Sequence, residues 1–208
     1  MDTDHLLSTT RAVRRKLDLE RPVEPAVLAE CLELALQAPT PGNQQDWRWL
    51  VVRDQGVKDR LASVFRRVGE AYLAARAAEA DASPATARAL ASGRYLVEVI
   101  ERVPVFVVPC LRGRPAGDNS VDAAFYGGIF PAVWNFQLAL RSRGLGSTLT
   151  TYHLQHEAEA AQILGVPDGY TQVGLLPVAY TTVPDFKPGA RRPLSEVAYL
   201  DHWGEPLS

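Results

Sequence analysis

The chain has 208 residues, 47% of them hydrophobic, with a formal net charge of −2 and a pI near 6.1. That is enough apolar material for one sizeable core, so a single domain over 1–208 is expected. The charge leaves no basic footprint for nucleic acid, and no run of about 18 apolar residues could span a membrane.

The first ten residues carry Asp2, Asp4 and His5 and hold no apolar signal core. Cys31 and Cys110 lie far apart with no CxxC spacing. They read as buried free thiols, and together these features predict a cytoplasmic protein. No internal repeat is present. Arg11, Arg14, Arg15 and Lys16 then place four cations within six residues, a pattern that by itself reads as a solvated face.

Pro22 and Pro25 close that run, and a helix over 25–37 follows. Pro25 suits its first position, while Leu28, Cys31, Leu32 and Ala35 recur at helical spacing. Residues 38–46 are loop chemistry, with Pro39, Pro41, Gly42 and Asn43 favouring tight turns. Residues 47–52 are aromatic and β-branched, as a buried strand would be.

Leu61, Val64, Phe65, Val68 and Tyr72 repeat at helical spacing. Eleven of the 21 residues from 71 to 91 are alanine, interrupted by Ser83 and Pro84. Such a segment favours helix but buries little surface per residue, so loose packing is expected. Residues 104–111 read as a second buried strand and 112–119 as a surface loop. Phe125, Ile129, Val133, Phe136 and Leu140 predict one long helix, apolar over most of its circumference and kinked by Pro131 near Gly127 and Gly128. A face so apolar predicts a subunit interface.

Arg141 and Arg143 suit the C-terminal end of that helix, and Gly144 ends it. Residues 144–151 read Gly-Leu-Gly-Ser-Thr-Leu-Thr-Thr. This is no dinucleotide fingerprint, because the third glycine is missing and a helix precedes it where a strand is needed. His153 and His156 give H-x-x-H with no third ligand, so no metal is expected. A short helix over 154–164 leads to a strand over 172–180, where Pro177 argues for an edge or a bulge.

Four of these stretches together resemble the nitroreductase-like FMN flavoproteins. Ala38-Pro39-Thr40, Asn43, Gln45 and Trp47 are similar to the signature A-P-S-x-x-N-x-Q-P-W, with Thr40 for serine and Asp46 for proline. Residues 11–17 are similar to R-R-S-V-R-x-F, placing Arg11 and Arg15 on the outer arginines and Ala12 and Val13 on the second arginine and the serine. Residues 144–151 follow the family's G-L-G-x-x-x-T/R-S/T run. Arg191, Pro193 and Leu194 match its R-x-P-L ending, and Trp203-Gly204 its closing W-G. The resemblance runs from Arg11 to Gly204.

The resemblance implies an α+β nitroreductase-like fold, a mixed central sheet flanked by helices, in an intertwined homodimer. It implies FMN as cofactor, held by Arg11, Ala12, Val13, Arg15 and Arg191 at its phosphate, ribityl chain and pyrimidine edge. Leu149, Thr150 and Thr151 would approach the flavin N5 and O4 through backbone amides. Pro39, Thr40, Pro41, Asn43 and Gln45 would come from the partner subunit, and the C-terminal strand would cross to it. Residues at about 70–100 would form a helical, lid-like insertion, and Arg14 would face solvent.

The function implied is two-electron transfer from NAD(P)H to a nitroaromatic, quinone or similar electron-poor acceptor, with no catalytic acid or base from the protein. Two rivals keep the cofactor: a family member that dehalogenates, desaturates peptides or cleaves flavin, and a flavin-binding protein without turnover.

Overall fold

The computed structural model describes residues 1–79 and 83–207. An N-terminal helix, α1 (Thr3–Thr9), is capped by the Asp2 carboxylate. α2 (Pro25–Ala35) has proline in its first turn and buries Leu28, Cys31 and Ala35. After the strand β1 (Trp47–Val52) come the long α3 (Gln55–Glu79) and α4 (Pro84–Val99), the latter capped by Ser83. The remaining elements are β2 (Val105–Arg112), α5 (Asn119–Gly127), α6 (Phe130–Ser142), β3 (Leu145–Ser147), α7 (Glu157–Leu164), β4 (Tyr170–Gln172) and β5 (Leu176–Tyr180). Residues 80–82 of the alanine-rich stretch lie outside the described residues.

The sheet runs β1-β2-β5-β3, with β4 also paired to β2. Every ladder among the described residues is antiparallel, so the expected mixed sheet is corrected to an antiparallel one. β2 is its centre. It pairs with β1 from Phe106 to Leu111, and its other edge takes β5 and then β4. Its side chains alternate between two cores, as a strand's period of two requires. Val105, Val107 and Leu111 pack with α2 and α6, while Phe106, Val108 and Cys110 pack with α3, α4 and α7. Cys31 and Cys110 fall in different cores and are free, and burial pushes both thiols up to about 11.

Three expectations are revised. The long helix is two: Pro131 sits in the first turn of α6, and the chain breaks at Gly128 and Ile129 instead of kinking through. A missing N–H costs least at a helix start, and the break places it there. The strand over 172–180 is interrupted at 173–175, where two residues of β2, Val108 and Pro109, face three on the other strand, between Cys110↔Gln172 and Val107↔Leu176. β5 is therefore interior, and Pro177 sits where its ladder to β3 lapses after Ser147↔Val178. Finally, the described tail forms no strand, only a 3-10 turn and one bridge, Tyr199↔Pro206. This segment pairs with no strand of the sheet among the described residues.

Candidate functional site

The cationic run is fastened to the sheet by its backbone. The Val13 N–H donates to the Ser147 carbonyl at 2.8 Å, Asp18 N–H to Tyr180 at 2.8 Å, and Thr182 N–H to Lys16 at 2.9 Å. Gly146 permits this approach, since it lies directly beneath Val13. Val13 and Leu17 are buried as a result, and a turn at 14–16 separates them. That turn sends Arg14 and Arg15 in different directions.

Arg14 lines a cavity of about 440 Å³ beneath α3 and α4. Arg15 is exposed, donates to the Ala91 carbonyl at 3.2 Å and stands over the Tyr95 ring. Arg14, expected to face solvent, thus lines the cavity, and Arg15 does not. Burial lowers the pKa of Arg14, and its guanidinium forms no hydrogen bond or ion pair with any described residue. Ala12 is exposed, and the Val13 amide is already spent on Ser147.

The floor of the cavity is the run after β3. Thr150 is locked to Leu175: their amides exchange bonds of 2.9 Å, and the Thr150 hydroxyl donates to the same carbonyl at 2.7 Å. The amides of Leu149 and Thr151, on either side, have no hydrogen bond among the described residues. Two donors are thus presented where the ladder beside Pro177 lapses. Leu149 is pressed against Gly174, where no side chain would fit without moving it.

The roof comes from α3 and α4. Tyr72, Leu73, Arg76, Thr86 and Leu90 face the cavity from α3 and α4. Tyr152 joins floor to roof, its ring 5.0 Å from Phe65 and 5.4 Å from Tyr72. Gly69 lets α3 come close to both Tyr152 and Val97. Next to Tyr152, His153 is fully buried with neither ring nitrogen paired, and burial pushes its pKa down to about 4. His156 is exposed, and no trio of metal-ligating side chains gathers among the described residues.

The proline loop stands elsewhere. It turns through a 3-10 segment, Pro41–Asn43, with positive φ at Gly42, Asn43 and Gln45. The Gln45 side-chain amide donates to Asn43 Oδ1 at 2.8 Å, and its N–H to the Thr40 hydroxyl at 3.4 Å. Thr40, Pro41 and Gln45 line a second cavity, of about 470 Å³, with Arg112, Phe125 and Gly128. No residue lines both cavities. Pro39 is exposed and lines neither.

Arg191 is exposed and bonds the neighbouring Ala190 carbonyl at 2.9 Å. The strap before it is pinned firmly. Asp185 accepts from the buried Arg141 of α6 and from His5 at 3.1 Å, and Arg11 donates to the Lys187 carbonyl. Arg11 and Arg141 both lie within reach of the Phe186 ring, at 6.0 and 5.1 Å. Thus one chain gathers Arg14, Leu149, Thr150 and Thr151, places Arg11 and Arg191 on the strap, and holds Pro39 to Gln45 apart. Arg14, Tyr72, Arg76 and Tyr152 were not anticipated. Only a resolved turn at 14–16 could have exchanged the roles of two adjacent arginines.

A family model described as the nitroreductase family matches residues 7–180. Among solved structures, an iodotyrosine deiodinase bound to FMN and 3-iodo-L-tyrosine superposes with a TM-score of 0.69 at 22% identity, covering 95% of this chain and 97% of that one. The FMN- and NADPH-dependent nitroreductase NfnB of a Sphingopyxis species gives 0.69 at 23% identity, covering 98% and 100%. A BluB-like flavoprotein of Clostridium difficile gives 0.69 at 16%, covering 96% and 99%. At these identities the likeness is one of fold.

Proposed function

The chain belongs to the nitroreductase family, and from that premise we propose that it is an FMN-dependent oxidoreductase whose flavin site is shared between two copies. The observation that carries this reading is the cavity under α3 and α4. It combines a partly desolvated arginine, two unengaged backbone donors and aromatic walls, with no carboxylate among the described residues of its lining. Its volume falls in the range of cofactor sites, and its donors and cation suit a planar group with acceptor atoms at its edge.

In this reading Arg14 replaces Arg15 at the pyrimidine edge, and Leu149 and Thr151 donate their amides. The strap holds Arg11 and Arg191 for the phosphate, where guanidinium groups form strong charge-assisted bonds. Bound there, the isoalloxazine supplies two-electron chemistry, exchanging a hydride at N5 with NAD(P)H and then with an electron-poor acceptor. Arg14 stabilises negative charge that develops in the cavity, because its guanidinium has no carboxylate partner among the described residues. For a nitroaromatic, the net change is Ar–NO2 to Ar–N=O and water, balanced by one hydride from the nicotinamide and one proton from solvent.

A second copy supplies what one chain keeps apart. The loop from Pro39 to Gln45 meets no residue of the first cavity, so it serves the cavity of a partner. The tail, with Trp203 90% exposed, supports the same arrangement, since it has an apolar surface and no strand edge of its own. Two free buried thiols support a cytoplasmic setting, and no helix among the described residues is long and apolar enough to cross a membrane.

The test is the absorption spectrum of the purified protein before and after anaerobic addition of NADPH. A flavin band that bleaches, and returns with an added nitroaromatic or quinone, is the expected result. A colourless protein that takes up no added FMN would refute the reading.

A further inference from the structure

The strap that carries Arg191 has no ladder of its own to hold it. From residue 183 to 192 no backbone amide among the described residues bonds another backbone group, and Pro184 and Pro188 have no N–H to give. Side chains fasten the strap instead, and they converge on Asp185. Its carboxylate accepts from the Arg141 guanidinium, from His5 at 3.1 Å and from the Phe186 N–H at 2.8 Å. The Arg141 side chain is 4% exposed, and Asp185 is the carboxylate it pairs with. A buried cation needs such a partner to offset its lost hydration, so the pair holds the strap to the end of α6.

The two arginines assigned to the phosphate lean on the same strap. Arg11 donates to the Lys187 carbonyl, and Arg191 to the Ala190 carbonyl at 2.9 Å. The Arg191 guanidinium lies folded over Gly189, where a Cβ would stand 2.5 Å from its Nη1. Both cations thus rest on backbone carbonyls a few residues beyond Asp185, and the Asp185 anchor decides where those carbonyls stand. From this arrangement we infer that Asp185 is a positioning residue for the cofactor phosphate. By compensating Arg141 it fixes the strap, and through the strap it sets Arg11 and Arg191 to face one anion. This rests on the flavoenzyme reading above and adds to it a carboxylate that acts through two guanidinium groups. A carboxylate cannot itself hold a phosphate, since like charges repel, so its part is to place the cations that do. Cations placed in advance lose less side-chain freedom when the ligand binds.

The test compares the affinity of the apoprotein for FMN with that for riboflavin, which has the same ring and ribityl chain but no phosphate. Fluorescence titration gives both. Asp185→Asn keeps the size of the side chain and one acceptor while removing its charge. Its FMN affinity should fall about tenfold, the lower end of what one charge-assisted bond contributes, with riboflavin affinity unchanged. In an Arg191→Ala background the same substitution should cost less FMN affinity, because one of the cations it places is gone. Asp185→Glu leaves Arg141 compensated and lengthens the anchor by one methylene. It should give a smaller fall in the same ratio, and it keeps the ratio readable should Asp185→Asn not fold. Equal losses of FMN and riboflavin would reduce Asp185 to a structural role and overturn the inference. A ratio unchanged in both variants would overturn it too and leave the flavoenzyme reading standing. Failure of the wild-type protein to take up FMN would overturn both.

Discussion

Val13 lies over Gly146 so closely that a methyl group on that glycine would stand 2.9 Å from the Val13 Cβ and 2.9 Å from the Thr181 Cγ2. The contact holds the cationic run against β3 and sets the direction in which Arg14 leaves it. Gly146→Ala should therefore lift residues 12–14 from the strand. Overpacking of this kind costs about 1–3 kcal/mol. Chemical denaturation should show that loss, and flavin affinity should fall with it. A variant of native stability and affinity would show that this seam positions nothing.

The two adjacent arginines give the sharpest test of the cavity. Arg14→Ala removes a partly buried cation from its lining, whereas Arg15→Ala removes an exposed one that braces α4 through Ala91. One charge-assisted hydrogen bond contributes about 1.5–3 kcal/mol, so Arg14→Ala should weaken FMN binding about tenfold to a hundredfold. Arg15→Ala should change it far less. Fluorescence titration of the apoproteins would decide, and equal losses would count against Arg14 as the flavin contact.

Much of this architecture was legible before any coordinates. Pro25 and the spacing of Leu28, Cys31 and Ala35 marked α2, and Trp47–Val52 and β2 read directly as strands, although only β2 is buried along its length and β1 is buried at Trp47 and Val52 alone. What escaped was whatever depends on a single turn or on long-range pairing. Periodicity cannot tell an interior strand from an edge. Of the two readings that Pro177 left open, the edge fails because β5 lies between β2 and β3. An extra residue opposite β2 does interrupt the strand just before it. The missing N–H of Pro177 is tolerated because the ladder to β3 has already lapsed. The candidate cavity divides in the same way. The run at 149–151, singled out by its motif, lines it, whereas the presence of Arg14 there follows from one turn that left no mark in the sequence. Of the roof residues, Tyr72 registered only in the apolar repeat of α3 and Arg76 carried no signal, because an alanine-rich helix has no strong face to orient it.

His153 makes stability depend on pH in a defined window. It is fully buried with neither nitrogen paired, and its pKa is pushed down from 6.5 to about 4. The unfolded chain therefore takes up a proton that the folded chain refuses. Stability should be complete above about pH 6.5 and fall as pH drops from there towards 4, by about 3 kcal/mol over the whole window. Urea melts at pH 7.5 and 5 should show the difference, and His153→Leu should flatten it. A slope in the variant equal to that of wild type would place the effect elsewhere.

Dimerisation can be tested now that α6 has a resolved inside and outside. Val133 is 2% exposed and packs with α2 in the chain's own core, so a charge there would unfold the subunit and say nothing about a partner. Phe130 and Trp134, 37% and 42% exposed, lie one turn apart on α6, and Leu34 of α2 is exposed at 47%. Large apolar side chains gathered on one face are what an obligate interface requires. Trp134→Glu should therefore leave the helical circular dichroism intact yet convert a dimer to a monomer in size-exclusion chromatography. If the loop from Pro39 to Gln45 completes the partner's site, the monomer should also lose the flavin band. Retention of the dimer by Trp134→Glu would show that the interface lies elsewhere, and a monomeric peak with stoichiometric FMN would refute the shared site.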